Sequence, residues 1–441
     1  MIPNKFNIFC PIEHPQYSHI ISNFLFRSFD FITKEEADFF QKRLVFVETE
    51  NQKVLLNKFF AKGYIASDGR LEKLVMDSIK QNLSKAMSMT PFFIHIVPHH
   101  NCNLSCKACF SQNYEKKLLT LEMTDKIFEI LNNADFMPKN VPPQILIGGG
   151  EPLLDKPKER EIVENIIQKV KAQNLTLQIS TTGVELKSYI DILKDYHEKL
   201  SIDINMECSE HISDDFIDTI ETAVNSKLSI ALHVGITRAN IQFLPSLANL
   251  IMNKMWLYLK NFTAFLRPIK ENMCTCPHLN NLDPELTMEF LKMRKEYPQL
   301  ELFNTHGWHG LDLVDFIIKK KELPPPRFYR CRPEFNFLTF APDGLIYKCY
   351  NAIGNPEYSI GEYFPEFKLN YEKEKLWQKG KIHNKCLVCP MYPICGGGCL
   401  KLMIDYKVPF FNLPDCQTFV NIYKECLKFY AHDLVEMFVG K

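Results

Sequence analysis

The segment HNCNLSCKACF, residues 100–110, follows an apolar run over Phe92–Val97 and carries three cysteines on one short loop. Their spacing is Cys-x3-Cys-x2-Cys, at Cys102, Cys106 and Cys109. Three thiolates on a loop this short can ligate three corners of a cubane iron–sulfur cluster, and the fourth iron then stays open to another ligand. A zinc site normally needs four ligands, often in paired Cys-x2-Cys spacing, and the next cysteine is Cys208. The loop therefore favours a cluster over zinc and over three structural cysteines.

The overall composition limits the classes of protein to which this chain can belong. The chain has 441 residues, 46% of them hydrophobic, which predicts more than one core and two or three domains. Lys+Arg and Asp+Glu both number 52, and a formal charge of zero argues against a nucleic-acid partner. No apolar stretch is long enough to span a bilayer and the N-terminus lacks a signal-peptide layout, so we expect a cytoplasmic protein without a membrane partner. In that compartment 15 cysteines indicate metal ligands rather than disulfides.

The chain divides into three predicted parts, at residues 1–88, 89–322 and 323–441. The first part has no cysteine cluster and is predicted to be a small α+β segment, in which Thr33 and Glu36 indicate a helix start of the capping-box type. It is either an appendage that packs on the main body or a site that holds a peptide by strand addition to a sheet edge. The boundary before the third part is the charged, proline-rich run KKKELPPP, residues 319–326.

The middle part alternates strands and helices about six times. The strand candidates are Phe92–Val97, Gln144–Ile147, Leu175–Ser180, Leu200–Met206, Leu228–Ile236 and Asn261–Pro268. The helix candidates are Thr124–Asn132, Lys158–Ala172, Glu185–Lys199, Ser213–Ser226, Leu244–Met255 and Pro284–Tyr297. This order predicts an α/β fold of parallel strands with covering helices, either as an open sheet or as an incomplete barrel. In both architectures ligands bind at the carboxyl ends of the strands, which is where the cysteine loop lies.

A glycine-rich turn follows the second strand candidate, with the sequence GGGEPLL at residues 148–154. Glycines let a backbone approach a ligand closely, and exposed backbone groups can hydrogen-bond to its polar head. Turns of this composition are also common where no ligand binds. The position of this one, a single strand after the cysteine loop and at the same end of the sheet, favours a shared ligand site.

The two motifs together resemble the radical S-adenosylmethionine (SAM) superfamily, and the resemblance implies a partial (β/α)6 TIM-like barrel. It implies that the three cysteines of the loop bind a [4Fe–4S] cluster, that SAM chelates its open iron, and that electron transfer cleaves SAM to a 5′-deoxyadenosyl radical. The residues that the resemblance places near SAM are Gly148, Gly149, Gly150, Glu151 and Pro152 in the turn, and Ser180, Thr181, Asn205 and Arg238 after later strands.

Two positions depart from the pattern of that family. The residue before the third cysteine is usually aromatic and lies near the adenine of SAM, whereas this chain has Ala108, with Phe110 two places later. On the fourth strand relatives often have Ser-x-Asp-Gly, whereas this chain has Asn-Met-Glu-Cys at residues 205–208. We therefore expect altered contacts to the adenine and to the ribose or substrate, and we interpret Cys208 as a core residue.

The third part holds a second group of cysteines. Two apolar runs, Phe335–Phe340 and Leu345–Tyr350, flank a Pro-Asp-Gly turn at residues 342–344 and predict a β-hairpin. Seven cysteines lie around and beyond it, at Cys331, Cys349, Cys386, Cys389, Cys395, Cys399 and Cys416. Thiolates alone suit two zinc ions as well as iron–sulfur clusters. Cys10 and Cys426 are expected to be structural, the second on a final helix predicted at Gln417–Phe438.

The spacing of these seven cysteines resembles the SPASM domain, which binds two auxiliary [4Fe–4S] clusters. The resemblance implies that the outer cluster is ligated by Cys386, Cys389, Cys395 and Cys416. It implies that the inner cluster is held by Cys331, Cys349 and Cys399, which leaves it one ligand short. Either Cys274 or Cys276 supplies the missing ligand, or that iron stays open to water or substrate. The resemblance as a whole covers about residues 90–430.

Enzymes of this branch mostly modify peptides or proteins, so the resemblance implies a maturase of ribosomally made peptides. The expected reactions are thioether or carbon–carbon crosslinking, or epimerisation, of a peptide or protein substrate. The implied partners are that substrate, with its leader peptide on residues 1–88, and an electron donor such as flavodoxin or ferredoxin. The sequence does not identify the catalytic acid or base. Glu207, Asp343 and Tyr350 are guesses, and a structural or surface role is favoured for each of them.

Two alternatives remain open. A sulfatase-maturating enzyme that forms formylglycine is the first, but the aspartate that serves as base after the cysteine matching Cys349 is replaced here by Tyr350 and Asn351. The second, from another class, is a non-catalytic electron carrier or a zinc-binding module. The glycine-rich turn argues against it, because neither would need such a turn.

Overall fold

The computed structural model describes residues 2–41, 49–87, 92–104, 106, 109, 115–133, 141–269, 282–328, 336–378, 385–398, 401 and 415–440. Several residues singled out in the sequence lie outside these ranges: Ala108, Phe110, Cys274, Cys276, Cys331 and Cys399. No helix in the described ranges is both long enough and apolar enough to cross a membrane.

The N-terminal segment is a small α+β unit. Its elements are β1 (Ile2–Pro3), β2 (Asn7–Pro11), β3 (His19–Asn23), β4 (Ser28–Ile32), α1 (Lys34–Gln41), α2 (Glu50–Ala61), β5 (Ile65–Ala66) and α3 (Arg70–Met87). Strands β2, β3 and β4 form an antiparallel sheet, and β1 pairs with β5. The predicted capping box is confirmed, since Glu36 N donates to Thr33 Oγ1 (3.2 Å) and Thr33 N donates to Glu36 Oε2 (2.9 Å).

The middle of the chain builds a large parallel sheet covered by helices. Its elements are β6 (Phe93–Ile96), α4 (Leu121–Asn133), β7 (Gln144–Ile147), α5 (Pro157–Ala172), β8 (Thr176–Thr181), α6 (Ile190–Leu193), β9 (Leu200–Glu207), α7 (Asp214–Asn225), β10 (Ser229–Ile236), α8 (Leu244–Asn253), β11 (Phe262–Pro268), α9 (Pro284–Glu296), β12 (Asn304–Thr305) and α10 (Gly310–Lys320). Strands β6 to β12 lie in sequence order across the sheet, all parallel. The six predicted strands are therefore confirmed.

The strands alternate between an apolar face and a polar face. On β9, Ile202 and Ile204 are buried, whereas Asp203 is half-buried and Asn205 is exposed. Successive side chains of a strand point to opposite faces, so the apolar set faces the covering helices and the polar set lies on the inner face of the partial barrel. The same alternation continues on β10 and β11.

The C-terminal part continues the barrel sheet. Its elements are β13 (Phe337–Phe340), β14 (Leu345–Tyr347), β15 (Ser359–Glu362), β16 (Lys368–Leu369), α11 (Tyr371–Gln378), α12 (Tyr392–Cys395), α13 (Asp415–Phe429) and α14 (Ala431–Val439). The predicted hairpin is confirmed as β13 and β14, which pair antiparallel. Strand β13 also pairs parallel with β6, so one sheet of 11 strands crosses the boundary predicted near residue 322.

Two predicted helices are divided in the structure. The segment predicted as one helix at Glu185–Lys199 forms a 3-10 turn at Leu186–Tyr189, the short helix α6 and a second 3-10 turn at Lys194–Lys199. The predicted final helix is likewise two helices that meet at Tyr430. Propensity alone does not place such breaks, because packing against the sheet decides where the backbone turns.

A small core joins the two ends of the chain. It contains Phe6, Leu25 and Met76 of the N-terminal segment and Phe328, Cys386 and Tyr392 of the C-terminal part. All six are less than one-tenth exposed. The N-terminal segment therefore packs directly on the segment that carries the second group of cysteines.

Candidate active site

The cysteine loop leaves the carboxyl end of β6 and presents its thiols to solvent. Cys102 and Cys106 are exposed and Cys109 is half-buried. The backbone N–H of Cys109 donates to the Cys106 carbonyl (3.0 Å), and the N–H of Leu104 donates to the Cys102 sulfur (3.4 Å). The loop is thus tightly turned, with at least one sulfur already accepting a backbone hydrogen bond, as thiolate ligands of clusters do.

The surroundings of the loop do not favour free thiolates. Partial burial raises the pKa of Cys102 and of Cys106, and nearby carboxylates raise both further, Glu151 beside Cys102 and Glu207 beside Cys106. The other cysteines of the loop act in the same direction. A cationic metal centre would instead lower the pKa of these thiols, because it stabilises coordinated thiolates directly.

The loop brings its three sulfurs close to one another. Cys109 interacts electrostatically with both Cys102 and Cys106, and these two interact with each other. A cubane cluster distributes its thiolates over different irons. Three neighbouring thiols on one loop therefore fit a [4Fe–4S] cluster, in agreement with the residue pattern.

The glycine-rich turn after β7 packs directly against the cysteine loop. Gly149 has a φ of 147°, and a Cβ atom on Gly150 would lie 2.1 Å from the carbonyl oxygen of Asn101. The N–H of Glu151 donates to that same carbonyl (2.8 Å). These glycines are needed because the backbone just before Cys102 occupies the space of a side chain. The turn and the loop are thus one structural unit.

The side chain of Glu151 ties this unit to the next strand. It is fully buried, and its Oε1 accepts hydrogen bonds from the N–H of Leu153 (2.9 Å) and the hydroxyl of Thr181 (2.6 Å). Its Oε2 accepts from the N–H of Thr182 (2.6 Å). Charge-assisted bonds of this kind are the stronger class of hydrogen bond. The ends of β7 and β8 are therefore held together at the predicted SAM site.

Two further carboxylates position the cysteine loop, and the sequence reading missed both. Asn101 donates to Glu159 Oε1 (2.8 Å), which lies on α5. Asn103 donates to Glu185 Oε1 (2.8 Å), which lies after β8 and also accepts from the N–H of Asp155. The spacing of these residues in the sequence does not indicate that they interact, because the two members of each pair are brought together only by the tertiary fold.

The remaining predicted SAM residues lie in two places. Ser180 and Asn205 are neighbours on β8 and β9, where Asn205 Nδ2 donates to Ser180 Oγ (3.1 Å). The guanidinium of Arg238 instead binds the carboxylates of Asp283 and Glu285 at the start of α9. Ser180 and Thr181 thus end the strand next to the glycine-rich turn, whereas Arg238 already has two acidic partners.

The described cysteines of the C-terminal part lie in or beside the core. Cys349 and Cys386 are buried, and Cys389, Cys395 and Cys416 are half-buried. Burial raises the pKa of Cys389, and the nearby Cys395 raises it further. Three consecutive glycines then follow Cys395, and all have positive φ (68°, 102° and 88°). Such a reversal requires glycine, and it redirects the chain within the segment predicted to hold the outer cluster.

The barrel interior contains polar residues that the sequence reading did not single out. Gln178 Nε2 donates to Asp203 Oδ2 (2.5 Å), and the ring of His233 stacks on Phe265 with centroids 4.9 Å apart. Burial, followed by the neighbouring cation of Arg267, lowers the pKa of His233 to about 4. The imidazole is therefore neutral near pH 7. The strict alternation of apolar and polar residues on these strands is the signal that would have found this set.

Comparison with known proteins agrees with this geometry. Residues 96–242, which include the cysteine loop and the glycine-rich turn, match the sequence model of the radical SAM superfamily. A search among curated proteins finds no matching relative.

Solved structures with the same fold extend the similarity to most of the chain. SuiB of Streptococcus suis bound to its precursor peptide SuiA is 16% identical with a TM-score of 0.50, over 92% of this chain and 97% of that one. SuiB bound to S-adenosylmethionine covers the same shares at 16% identity with a TM-score of 0.52. The native anSMEcpe with bound AdoMet and the Cp18Cys peptide is 18% identical with a TM-score of 0.54, over 79% of this chain and 99% of that one.

The family match, the parallel sheet and the joined loop and turn agree with one another. Residues 96–242 are similar to the radical SAM superfamily, whose cofactors are a [4Fe–4S] cluster and SAM.

Proposed function

We propose that this enzyme modifies a peptide or protein by abstracting a hydrogen atom from one of its residues. The observation that carries the proposal is that the cysteine loop and the glycine-rich turn form one unit at the carboxyl ends of β6 and β7, beside the polar face of the parallel sheet. Polar side chains on that face can hydrogen-bond to a polar group of a larger substrate. The similarity of fold to SuiB and anSMEcpe, whose structures contain peptides, supports this choice of substrate.

In this proposal each described residue of the site has a defined task. Cys102, Cys106 and Cys109 hold the cluster, and the backbone of the glycine-rich turn offers hydrogen-bonding groups to the methionine part of SAM. Glu151 keeps the turn in place through its three hydrogen bonds to β8 and to Leu153. The bound cofactors supply a 5′-deoxyadenosyl radical by reductive cleavage of SAM. The protein contributes orientation and exclusion of water at the reacting position.

We further propose that the C-terminal cysteines bind two auxiliary clusters. Cys386, Cys389, Cys395 and Cys416 are assigned to the outer cluster, and Cys349 with Cys331 and Cys399 to the inner one. The proximity of Cys389 to Cys395 and the run of left-handed glycines after Cys395 support this assignment. The fourth ligand of the inner cluster, Cys274, Cys276 or a substrate atom, is part of the same proposal.

The N-terminal segment is proposed to hold the leader part of the peptide along β4. Within the described residues, β4 pairs only with β3, and the register places the backbone groups of Phe29 and Phe31 on the outer side of this edge. The opposite edge strand, β2, carries Pro11, which lacks an N–H donor and so discourages strand addition there. An extended peptide can add to β4 by backbone hydrogen bonds alone.

The alternatives differ at specific residues. A formylglycine-forming enzyme of the sulfatase-maturating kind would need a base after Cys349, where this chain has Tyr350 and Asn351. A plain electron carrier would not need the glycine-rich turn built onto the cysteine loop. Both observations favour peptide modification by a different reaction.

Anaerobic reconstitution followed by reduction in the presence of SAM tests the proposed function. Three cubane clusters correspond to about 12 iron atoms per chain, and 5′-deoxyadenosine should form. A variant in which Cys102, Cys106 and Cys109 are all replaced by alanine should retain about 8 iron atoms and form no 5′-deoxyadenosine. Cys208→Ala is the matched control, since this buried cysteine lies outside the proposed ligand set. Undiminished cleavage by the triple variant would show that the cysteine loop is not the reacting centre.

A further inference from the structure

A buried histidine lies beside the first glycine of the glycine-rich turn. His95 is on β6 between Ile94 and Ile96, and its side chain points to the opposite face of the sheet from theirs. It is only 6% exposed. A Cβ atom on Gly148 would lie 3.0 Å from His95 Nε2, so this ring nitrogen faces the backbone at the end of β7. Burying an imidazole is costly unless its two nitrogens have hydrogen-bonding partners.

The two partners of His95 come from the strands on either side of it. Nδ1 lies 3.4 Å from the hydroxyl of Thr339, its register partner on β13. Burial lowers the pKa of His95 to about 4, whereas the backbone of Gly148 acts in the opposite direction. A contact that favours the protonated ring comes from an acceptor, and the Gly148 N–H already donates to the Ile96 carbonyl (3.3 Å). The Gly148 carbonyl is therefore the group that accepts from Nε2.

These partners define which nitrogen of the ring carries the proton. A neutral imidazole has one donor nitrogen and one acceptor nitrogen. A carbonyl can only accept, so Nε2 of His95 carries the proton, and Nδ1 accepts a hydrogen bond from the Thr339 hydroxyl. Thr339 is fully buried. The bond at one ring nitrogen sets the tautomer and the orientation at the other. Thr339 therefore prepares His95 for its contact with Gly148.

Aromatic side chains of the C-terminal part hold the plane of the same ring. Phe337 on β13 lies 6.1 Å from His95 between ring centroids, and Tyr350 meets it edge to face at 6.3 Å with an angle of 86°. Both distances are within the range of favourable ring contacts. Tyr350 directly follows Cys349, a proposed ligand of the inner cluster. His95 thus joins the glycine-rich turn to the β13–β14 hairpin and to the residue after Cys349.

The turn is held at its other end by a different residue. Glu151 accepts hydrogen bonds from the hydroxyl of Thr181 and from the N–H of Thr182, after β8. Three consecutive glycines lose more conformational freedom on ordering than other residues do. Contacts that order such a segment in advance lower the entropic cost of binding a ligand to it. His95 at Gly148 and Glu151 after Gly150 are therefore the two anchors of this segment.

We propose that His95 is a positioning residue for SAM. Through the Gly148 carbonyl it holds the turn in the conformation that receives the methionine part of SAM, and through Thr339 and Tyr350 it makes this conformation depend on the C-terminal hairpin. The inference rests on the proposed binding of SAM at the turn and is independent of the peptide that is modified.

The dissociation constant of SAM, measured by equilibrium dialysis on the reconstituted full-length protein, tests the proposal. His95→Leu removes both hydrogen bonds and should weaken SAM binding about tenfold, while the iron content stays at the wild-type level. His95→Gln should bind SAM within about threefold of the wild type, because its amide can donate to the Gly148 carbonyl and accept from Thr339. Rescue by glutamine separates hydrogen bonding from simple packing.

Thr339→Val tests the link to the hairpin. It removes the hydroxyl with little change of shape and should weaken SAM binding about threefold. Combined with His95→Leu it should add no further loss, because both changes remove the same interaction. Thr219→Val is the matched control: this buried threonine of α7 donates to the Asp215 carbonyl (2.8 Å), and its replacement should leave SAM affinity unchanged.

The outcomes separate this proposal from the proposed function. Wild-type SAM affinity in His95→Leu at full iron content overturns it. An equal loss in His95→Gln and His95→Leu also overturns it, because packing alone would then explain the effect. If His95→Leu does not fold, unchanged affinity in Thr339→Val overturns the proposal. A wild-type protein that binds no SAM would instead refute the proposed function.

Discussion

Gly150 has no room for a side chain, since a Cβ atom there would lie 2.1 Å from the backbone oxygen of Asn101. Because that oxygen belongs to the loop that enters Cys102, any larger residue must displace the proposed cluster ligands. The role of this glycine is therefore to join two motifs, in addition to any contact with SAM.

Gly150→Ala should consequently impair the site through the loop. We expect an unfolding free energy lower by about 1–3 kcal/mol and a clear loss of 5′-deoxyadenosine formation after reconstitution. Gly69→Ala is the control, because its nearest neighbour would be Glu72 Oε2 at 3.5 Å, an ordinary contact. That control should change stability by less than about 0.5 kcal/mol. Full cleavage activity in Gly150→Ala would contradict the close packing of turn and loop.

Among elements, the two edge strands of the N-terminal sheet differ in what they offer a peptide. The β4 edge has outward backbone groups at Phe29 and Phe31, whereas the β2 edge contains Pro11. The predicted binding of a leader peptide by residues 1–88 thus becomes a prediction about strand β4. Removing a single outward N–H from that strand is the sharpest way to examine it.

Phe29→Pro should weaken binding of the leader peptide by about tenfold, because proline removes one donor and its ring obstructs the added strand. Candidate peptides come from short reading frames beside the gene, and affinity is measured by fluorescence anisotropy. Phe9→Pro makes the same replacement at an outward position of β2 and should leave affinity unchanged. Equal losses in both variants would indicate general damage to the sheet and would count against peptide addition at β4.

The strands of the barrel could be predicted from the sequence, since their apolar residues recur with the period of a strand. The divided segment at residues 185–199 was not, because its two 3-10 turns contain the same residue types as a helix. The pairing of β13 with β6 was also beyond reach, as the two strands lie more than 240 residues apart and no local signal relates them.

For the molecule as a whole, the core shared by the chain ends makes the N-terminal segment part of the C-terminal cysteine region. Phe6 is fully buried in that core, together with Cys386 and Tyr392. Loss of packing in the N-terminal segment should therefore weaken binding of the proposed outer cluster in the C-terminal part. An independent appendage would not show such coupling.

Phe6→Ala should lower the unfolding free energy by about 3–5 kcal/mol and reduce the iron content after reconstitution from about 12 towards about 8 atoms. The cysteine loop lies outside this core, so 5′-deoxyadenosine formation should persist. Phe60→Ala, at a residue that is 45% exposed, serves as the control and should have little effect on either quantity. Iron content that stays at the wild-type level despite the lost stability would separate the segment from the outer cluster.

The sequence by itself determined the chemistry that this protein can hold: three cysteines on one loop, the glycine-rich turn one strand later, and the alternating strands. These are local patterns, and local spacing decides whether thiolates share a loop or whether a side chain faces a lumen. The tertiary structure alone decided that Gly150 meets Asn101, that Arg238 binds two acidic side chains, and that the two ends of the chain share a core. Such contacts join residues that are distant in the chain, and they depend on how the elements pack rather than on any single segment.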